Sequence, residues 1–280
     1  PFSFFAPTKL KELQKSLPII PKQRFSNSKS KNYPTINKAK GTVALFTGCI
    51  MDHLFPHVHL ATVRILNWNG YNVEIPSNQT CCGALHAHSG DSKMTNSLAS
   101  ENNKELLNNK YDYIVINSAG CGSHLKSFIK YNKSGLSSKI LDISELLASI
   151  NTKSLQSYTS KAVAYDEPCH LLHGQGISSE PKSILDKISG INLISLENAD
   201  QCCGSAGSYA LSQTEMSIKL LDEKMKKIED SGAKIVVTAN PGCQIQLNWG
   251  SKRSGLKIEV LHLMELLDRC YKTDPNYLKY

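Results

Sequence analysis

Two quartets of cysteine recur along this chain at a nearly fixed distance. Cys49, Cys81, Cys82 and Cys121 are followed 120, 121, 121 and 122 positions later by Cys169, Cys202, Cys203 and Cys243. In each copy the adjacent pair runs into glycine, as Gln79-Thr80-Cys81-Cys82-Gly83-Ala84 and as Gln201-Cys202-Cys203-Gly204-Ser205-Ala206-Gly207. Four matched offsets mark an internal duplication. Whatever the fold is, it must be built twice, and each copy must place four thiols equivalently.

Side chains of neighbouring residues diverge in extended backbone, so aiming two adjacent sulfurs at one centre needs a sharp turn. Gly83 and Gly204 supply the permissive backbone there, which gives both a geometric role at the site. A disulfide within the pair would lie far from ordinary bridge geometry. Thiolates converging from three separated segments suit a soft metal centre, either zinc or iron–sulfur. Four thiolates around zinc would make a closed cage, although zinc ligands are normally spaced by roughly two to four residues. A lone nucleophilic cysteine, with His170 or His173 as base for Cys169, fits the doubling poorly, since that chemistry needs one activated thiol.

The 280 residues suit one large domain or two of about 120. Such a chain buries roughly three quarters of its unfolded surface and needs no disulfide staples. Nine cysteines is an odd number without the spacing of a disulfide scaffold. With no signal-peptide pattern and no membrane-length apolar run, the expected setting is the reducing cytoplasm. The net charge of +8 resides in residues 1–40, where eight Lys and Arg24 face Glu12 alone. A nucleic-acid surface spreads its basic groups over a fold, so no nucleic-acid partner is expected. Residues 1–40 are expected to form a basic flexible arm, with an amphipathic piece over Leu10–Leu17 and a solvated linker over 22–40. Docking to a partner or to an acidic membrane surface is the alternative role for this arm.

From Gly41 onward, apolar runs alternate with helical periodicity. Strands are expected at Val43–Phe46, Tyr71–Ile75 and Tyr113–Ile116, then at Ala162–Tyr165, Ile191–Leu196 and Ile235–Val237. Helices are expected at Pro56–Asn69, Asp91–Asn108, from Ser123, around Ile143–Leu147, at Pro181–Ile188 and around Leu263–Leu267. Another carries Leu211, Ile218, Leu221, Met225 and Ile228 on one face. The polar stretch Asn151–Ser160 is the expected joint. The fold class is therefore α/β, as two pseudo-symmetric halves at 41–155 and 156–280, each a mostly parallel sheet flanked by helices. In such sheets ligands sit beyond the carboxyl ends of the strands, and all eight paired cysteines follow strands.

The doubled pattern Cys…Cys-Cys-Gly…Cys resembles the cysteine-rich CCG domain pair of glycolate oxidase iron–sulfur subunits, lactate-utilisation proteins and the cysteine-rich subunit of heterodisulfide reductases. The segments FTGC at 46–49, DEPCHLLHGQG at 166–176, DQCCGSAGSYAL at 200–211 and TANPGCQIQL at 238–247 are most similar to the glycolate oxidase iron–sulfur subunit. The resemblance spans residues 41–270. It implies an oxidoreductase subunit that takes electrons from a flavin-containing partner oxidising a 2-hydroxy acid such as glycolate. The electrons would pass to a quinone or another membrane-associated acceptor, which places the protein at the inner face of the membrane. A disulfide- or thiol-reducing subunit and a zinc-bound or metal-free assembly module are the alternatives. The implied ligands are Cys49, Cys81, Cys82 and Cys121, and Cys169, Cys202, Cys203 and Cys243, holding iron–sulfur clusters that include non-cubane [4Fe-4S] forms, at one site or both.

Two departures from that pattern stand out. The fuller motif ends Cys-x-x-Cys, whereas the corresponding positions here are His124 and Gln246. His124 is a candidate replacement ligand; Gln246 is a poor one for iron. The usual ferredoxin-like region, with its Cys-x-x-Cys-x-x-Cys-x-x-x-Cys-Pro runs, is not in the sequence, which opens at Pro1. Either the chain is a fragment or it works without those clusters. His170 and His173, one helical turn apart, are candidates to contact or tune the cluster, and His86 and His88 are weaker ones. His53, His57 and His59 are expected to be structural, and Cys270 to be a packed or exposed thiol without a role. Gly174-Gln175-Gly176 lacks the rest of a nucleotide fingerprint.

Overall fold

The computed structural model describes residues 18–28, 30–36, 38–106, 111–131, 139–150, 152 and 155–277. The Leu10–Leu17 piece and the expected helix end at Asn108 lie outside them. The first half runs β1 (Asn32–Tyr33), β2 (Gly41–Phe46), α1 (Ile50–Leu54), α2 (Pro56–Trp68), β3 (Tyr71–Glu74), α3 (Ala84–His88), α4 (Ser92–Leu106), β4 (Tyr113–Ile116), α5 (Ala119–Tyr131), β5 (Ile140–Asp142) and α6 (Ile143–Ser149). The second runs β6 (Leu155–Gln156), β7 (Ala162–Tyr165), α7 (Cys169–Gln175), α8 (Ser179–Asp186), β8 (Ile188–Ser189), β9 (Asn192–Ile194), α9 (Tyr209–Ser212), α10 (Thr214–Ser231), β10 (Ile235–Thr238), α11 (Pro241–Ser254), β11 (Glu259–His262) and α12 (Leu263–Tyr271).

The duplication is visible in the sheets. Strand order β3-β2-β4-β5 in the first half is repeated as β9-β7-β10-β11 in the second, all parallel. The central strands are buried on both faces, as at Val43-Ala44-Leu45-Phe46 and Ile235-Val236-Val237-Thr238, which is why they read as unbroken apolar runs. Equivalent capping boxes start the last helix of each half. Asp142 accepts from Ser144 N with Glu145 reaching back to Asp142 N, and His262 accepts from Met264 N with Glu265 reaching back to His262 N.

The halves interlock through those last helices. Helix α6 packs on α8 of the second half, and α12 packs reciprocally on α2 of the first. Arg64 on α2 donates a bidentate pair to Asp268 on α12 at 2.8 and 2.6 Å, and residues of both halves share one apolar core. Gly174 and Gln175 of Gly174-Gln175-Gly176 pack at this seam, while Gly176 ends α7 in the left-handed region at φ +72°. A Cβ on Gly174 would lie 2.3 Å from Ser123 Oγ on α5, and Gln175 Nε2 donates to Ala119 O at 3.0 Å.

Four expectations change. Part of the supposed linker is docked: Phe25 is buried against His59 with ring centroids 5.0 Å apart, Ser26 N donates to Asp52 at 2.6 Å, and β1 adds antiparallel to β3. One buried aromatic and a few backbone bonds outweigh a polar composition. Leu211 is exposed, because Gln213 breaks the helix and leaves α9 as a separate turn before α10. The joint carries a short strand, β6, paired with β8. Helix α5 begins at Ala119, so Cys121 lies inside its first turn rather than before it.

Candidate metal centres

Each quartet is assembled at helix N-termini beyond the carboxyl edge of its sheet. Cys49 is the N-cap of α1 and Cys169 the first residue of α7; Cys121 and Cys243 each occupy the third position of α5 and α11. Helix N-termini present free N–H groups and a positive dipole end, which favour thiolate over thiol. The Cys-Cys turns arrive from the opposite side. Gly83 and Gly204 close them in the left-handed region, at φ +89° and +84°, and their N–H groups point back at Cys81 Sγ and Cys202 Sγ, at 3.5 and 3.4 Å.

In the first half, Cys49 Sγ lies 3.4 Å from Cys81 Sγ, and Cys82 is hydrogen-bonded to both Cys81 and Cys121. In the second, Cys203 Sγ lies 3.2 Å from Cys243 Sγ, while Cys202 is hydrogen-bonded to Cys169 and Cys203. Each of the two places thus gathers four sulfurs. Cys81 is held well below the usual thiol range, by Cys49 first, then by Cys82 and the Gly83 N–H; Cys202 is lowered likewise by Cys169, Cys203 and the Gly204 N–H. Their partners Cys49, Cys82, Cys169 and Cys203 are raised, chiefly because they donate to neighbouring sulfurs and are buried. Cys121 is lowered as well, chiefly by the hydrogen bond with Cys82, so two thiols of the first quartet are shifted down. Among the described residues no three His, Cys, Asp or Glu side chains form a ready cage for a single ion; the sulfurs touch pairwise instead. The eight paired cysteines are soft donors, a set suited to iron–sulfur.

The supporting residues also correspond across the duplication. Asn102 Nδ2 donates to Cys81 O at 2.9 Å and its Oδ1 accepts from Thr80 N at 2.9 Å. Its counterpart 122 positions later is Lys224, whose Nζ donates to Ala199 O at 2.7 Å and Gln201 O at 3.1 Å. Both fix the strand-to-turn segment that delivers the adjacent cysteines.

The histidines divide. His124 faces Gly83, where a Cβ would lie 3.5 Å from its Nε2, so it stands beside the first Cys-Cys turn. Its counterpart Gln246 donates to Ser217 Oγ at 3.0 Å, and Ser217 Oγ in turn donates to Gly204 O at 2.7 Å. Gln246 is thus committed to bracing the second turn. His170 Nδ1 lies 3.7 Å from Cys169 Sγ, whereas His173 is exposed at the far end of α7. His88 stacks on His170 across the seam, centroids 5.7 Å apart, with Gly207 leaving room beside it. Of the packed and exposed alternatives for Cys270, the structure takes the packed one: the thiol is buried in the core. Sequence reading missed Asn102, Lys224 and Ser217. Their offset of 122 to or from a partner was the one available signal for the first two, and Ser217 likewise matches Thr95.

The family model of the CCG cysteine-rich domain matches twice, over residues 43–126 and 163–248. Those two stretches contain all eight cysteines and cover more than half of the chain. The chain belongs to the CCG cysteine-rich domain family. Among CCG relatives, a probable glycolate oxidase iron-sulfur subunit from Bacillus subtilis is 35% identical over 274 residues, covering 93% of this chain and 62% of the relative. One subunit of the fumarate reductase (CoM/CoB) of Methanothermobacter marburgensis is 34% identical over 233 residues, 83% of this chain and 47% of the relative. Lactate utilization protein A from Halalkalibacterium halodurans is 29% identical over 243 residues, 82% of this chain and 98% of the relative. This CCG chain therefore spans about half to three fifths of the length of the first two.

Proposed function

We propose that this chain is the iron–sulfur electron-transfer subunit of a flavin-dependent 2-hydroxy-acid dehydrogenase, with glycolate the first substrate to test and the flavin on a partner chain. The convergence of two thiol quartets at equivalent places in a doubled CCG fold carries the reading, and the iron–sulfur subunit name of a relative 35% identical supports it. The proposed ligands are Cys49, Cys81, Cys82 and Cys121 in one half, and Cys169, Cys202, Cys203 and Cys243 in the other, with His124 standing by the first set. An iron–sulfur cluster bound there supplies reversible one-electron storage. The residues around it do the rest: Gly83 and Gly204 aim N–H groups at sulfur, buried Cys82 and Cys203 exclude water, and half-buried Cys49, Cys81, Cys169 and Cys202 keep one side open to a partner.

The proposed acceptor is a quinone or other membrane-associated carrier reached from the cytoplasmic side. Among the described residues no helix is long and apolar enough to cross a membrane. The test is to purify the tagged chain anaerobically from its own cells with its partners and add glycolate. Flavin in the complex and bleaching of the visible cluster absorbance are expected. An iron-loaded complex that no 2-hydroxy acid reduces would contradict the reading. A disulfide- or thiol-reducing role is the second reading, favoured by the His88–His170 stack joining the two halves beside their sites. It predicts turnover of disulfides instead.

A further inference from the structure

Asn240 belongs to neither quartet, yet its side chain touches both halves of the site. Its Nδ2 donates to Cys243 Sγ at 3.5 Å. Its Oδ1 accepts from the backbone N–H of Gly120 at 3.2 Å, and Gly120 is covalently joined to Cys121. One amide therefore closes a continuous route from a sulfur of the second quartet to the peptide that carries a sulfur of the first. Beside it, Ala119 N donates to Ala239 O at 3.2 Å, so the two third-strand exits are stitched together at this point. The duplication supplies an internal comparison. The residue 122 positions earlier is Ser118, whose hydroxyl hydrogen-bonds Cys121 within its own half. Serine can serve its own sulfur but is too short to cross the seam; asparagine has a donor at one end and an acceptor at the other.

We infer that Asn240 is a positioning residue that tunes the second thiol site and holds it in register with the first. This rests on the iron–sulfur reading above. A hydrogen bond donated to a ligating sulfur withdraws charge from it and favours the reduced state of the centre, so losing it lowers the reduction potential. The same loss frees the Gly120 N–H on the other side of the seam.

The test compares wild type with Asn240→Ala, Asn240→Asp and Ser118→Ala in the complete chain, by redox titration followed with electron paramagnetic resonance and by amide exchange in metal-free protein. Asn240→Ala should weaken reduction of the second-site centre about tenfold, a drop of about 59 mV for one electron, and leave the first-site centre where it was. Asn240→Asp, which puts a carboxylate against the sulfur, should lower it further. Ser118→Ala should move the first-site centre alone. Exchange at Gly120 N–H should rise about tenfold in Asn240→Ala. An unshifted second-site potential, or equal shifts at both sites, would overturn the tuning role, and unchanged exchange at Gly120 would overturn the tether. Wild-type protein without iron would defeat the functional reading and the tuning with it, while the exchange measurement still decides the tether.

Discussion

Lys224 Nζ lies 2.7 Å from Asp166 Oδ1, and neither side chain is open to solvent. The lysine also holds the carbonyls of Ala199 and Gln201, and Thr238 Oγ1 donates to the other carboxylate oxygen at 2.9 Å. A charge pair is thus used to pin the loop that enters Cys202-Cys203, where the first half uses neutral Asn102. Removing one member strands the other. Lys224→Met should cost about 3–5 kcal/mol of unfolding free energy, and Lys224→Met with Asp166→Asn should recover part of that. Urea unfolding checks both.

Of the two glycines that follow the cysteine pairs, Gly204 is the one with no room for a side chain; at Gly83 the nearest atom to a Cβ lies 3.5 Å away. A Cβ at Gly204 would lie 2.4 Å from the backbone oxygen of Ser217, and the residue sits at φ +84°. Gly204→Ala combines left-handed strain with a backbone clash and should cost roughly 3 kcal/mol or more. Gly232 shares the left-handed conformation, at φ +75°, but a Cβ there meets nothing within 4 Å. Gly232→Ala should cost only about 1 kcal/mol. Thermal melts of the two variants should separate them clearly.

Two buried histidines make stability depend on acid. His59 and His262 are wholly enclosed, and burial pushes each down to about 4. Their rings are spent on structure: His59 Nε2 lies 3.0 Å from Thr47 O, and His262 Nε2 lies 2.9 Å from Asn117 O. Both stay neutral in the folded chain while the unfolded chain protonates near the ordinary value of about 6.5. Stability is therefore fully present above that value and is lost as pH falls towards about 4, by roughly 3 kcal/mol for each histidine. Unfolding free energies between about pH 7.5 and about pH 4.5 should show this slope, and His59→Gln should remove about half of it.

The large features were legible because they are periodic. Fixed offsets between cysteines disclose the duplication, and doubly buried strands such as Val43–Phe46 announce themselves as apolar runs. Gly83 and Gly204 follow from the geometry that adjacent cysteines demand. Illegible features depend on contacts between distant segments. Composition marks 22–40 as solvated, but the single ring of Phe25 decides that part of it docks. Nothing local announces that Asn240 reaches Gly120 N–H or that Lys224 holds the Ala199 carbonyl, since both contacts lie on backbone from elsewhere in the fold. His88 looked marginal because its stacking partner His170 belongs to the other half.

Anaerobic iron and acid-labile sulfide content, taken for wild type beside Cys49→Ser and Cys169→Ser, tests the central claim most directly. Wild type should hold both elements, Cys49→Ser should lose the first site's share alone, and Cys169→Ser the second's. Colourless protein carrying zinc or no metal, or serine variants that keep the full wild-type iron, would contradict it.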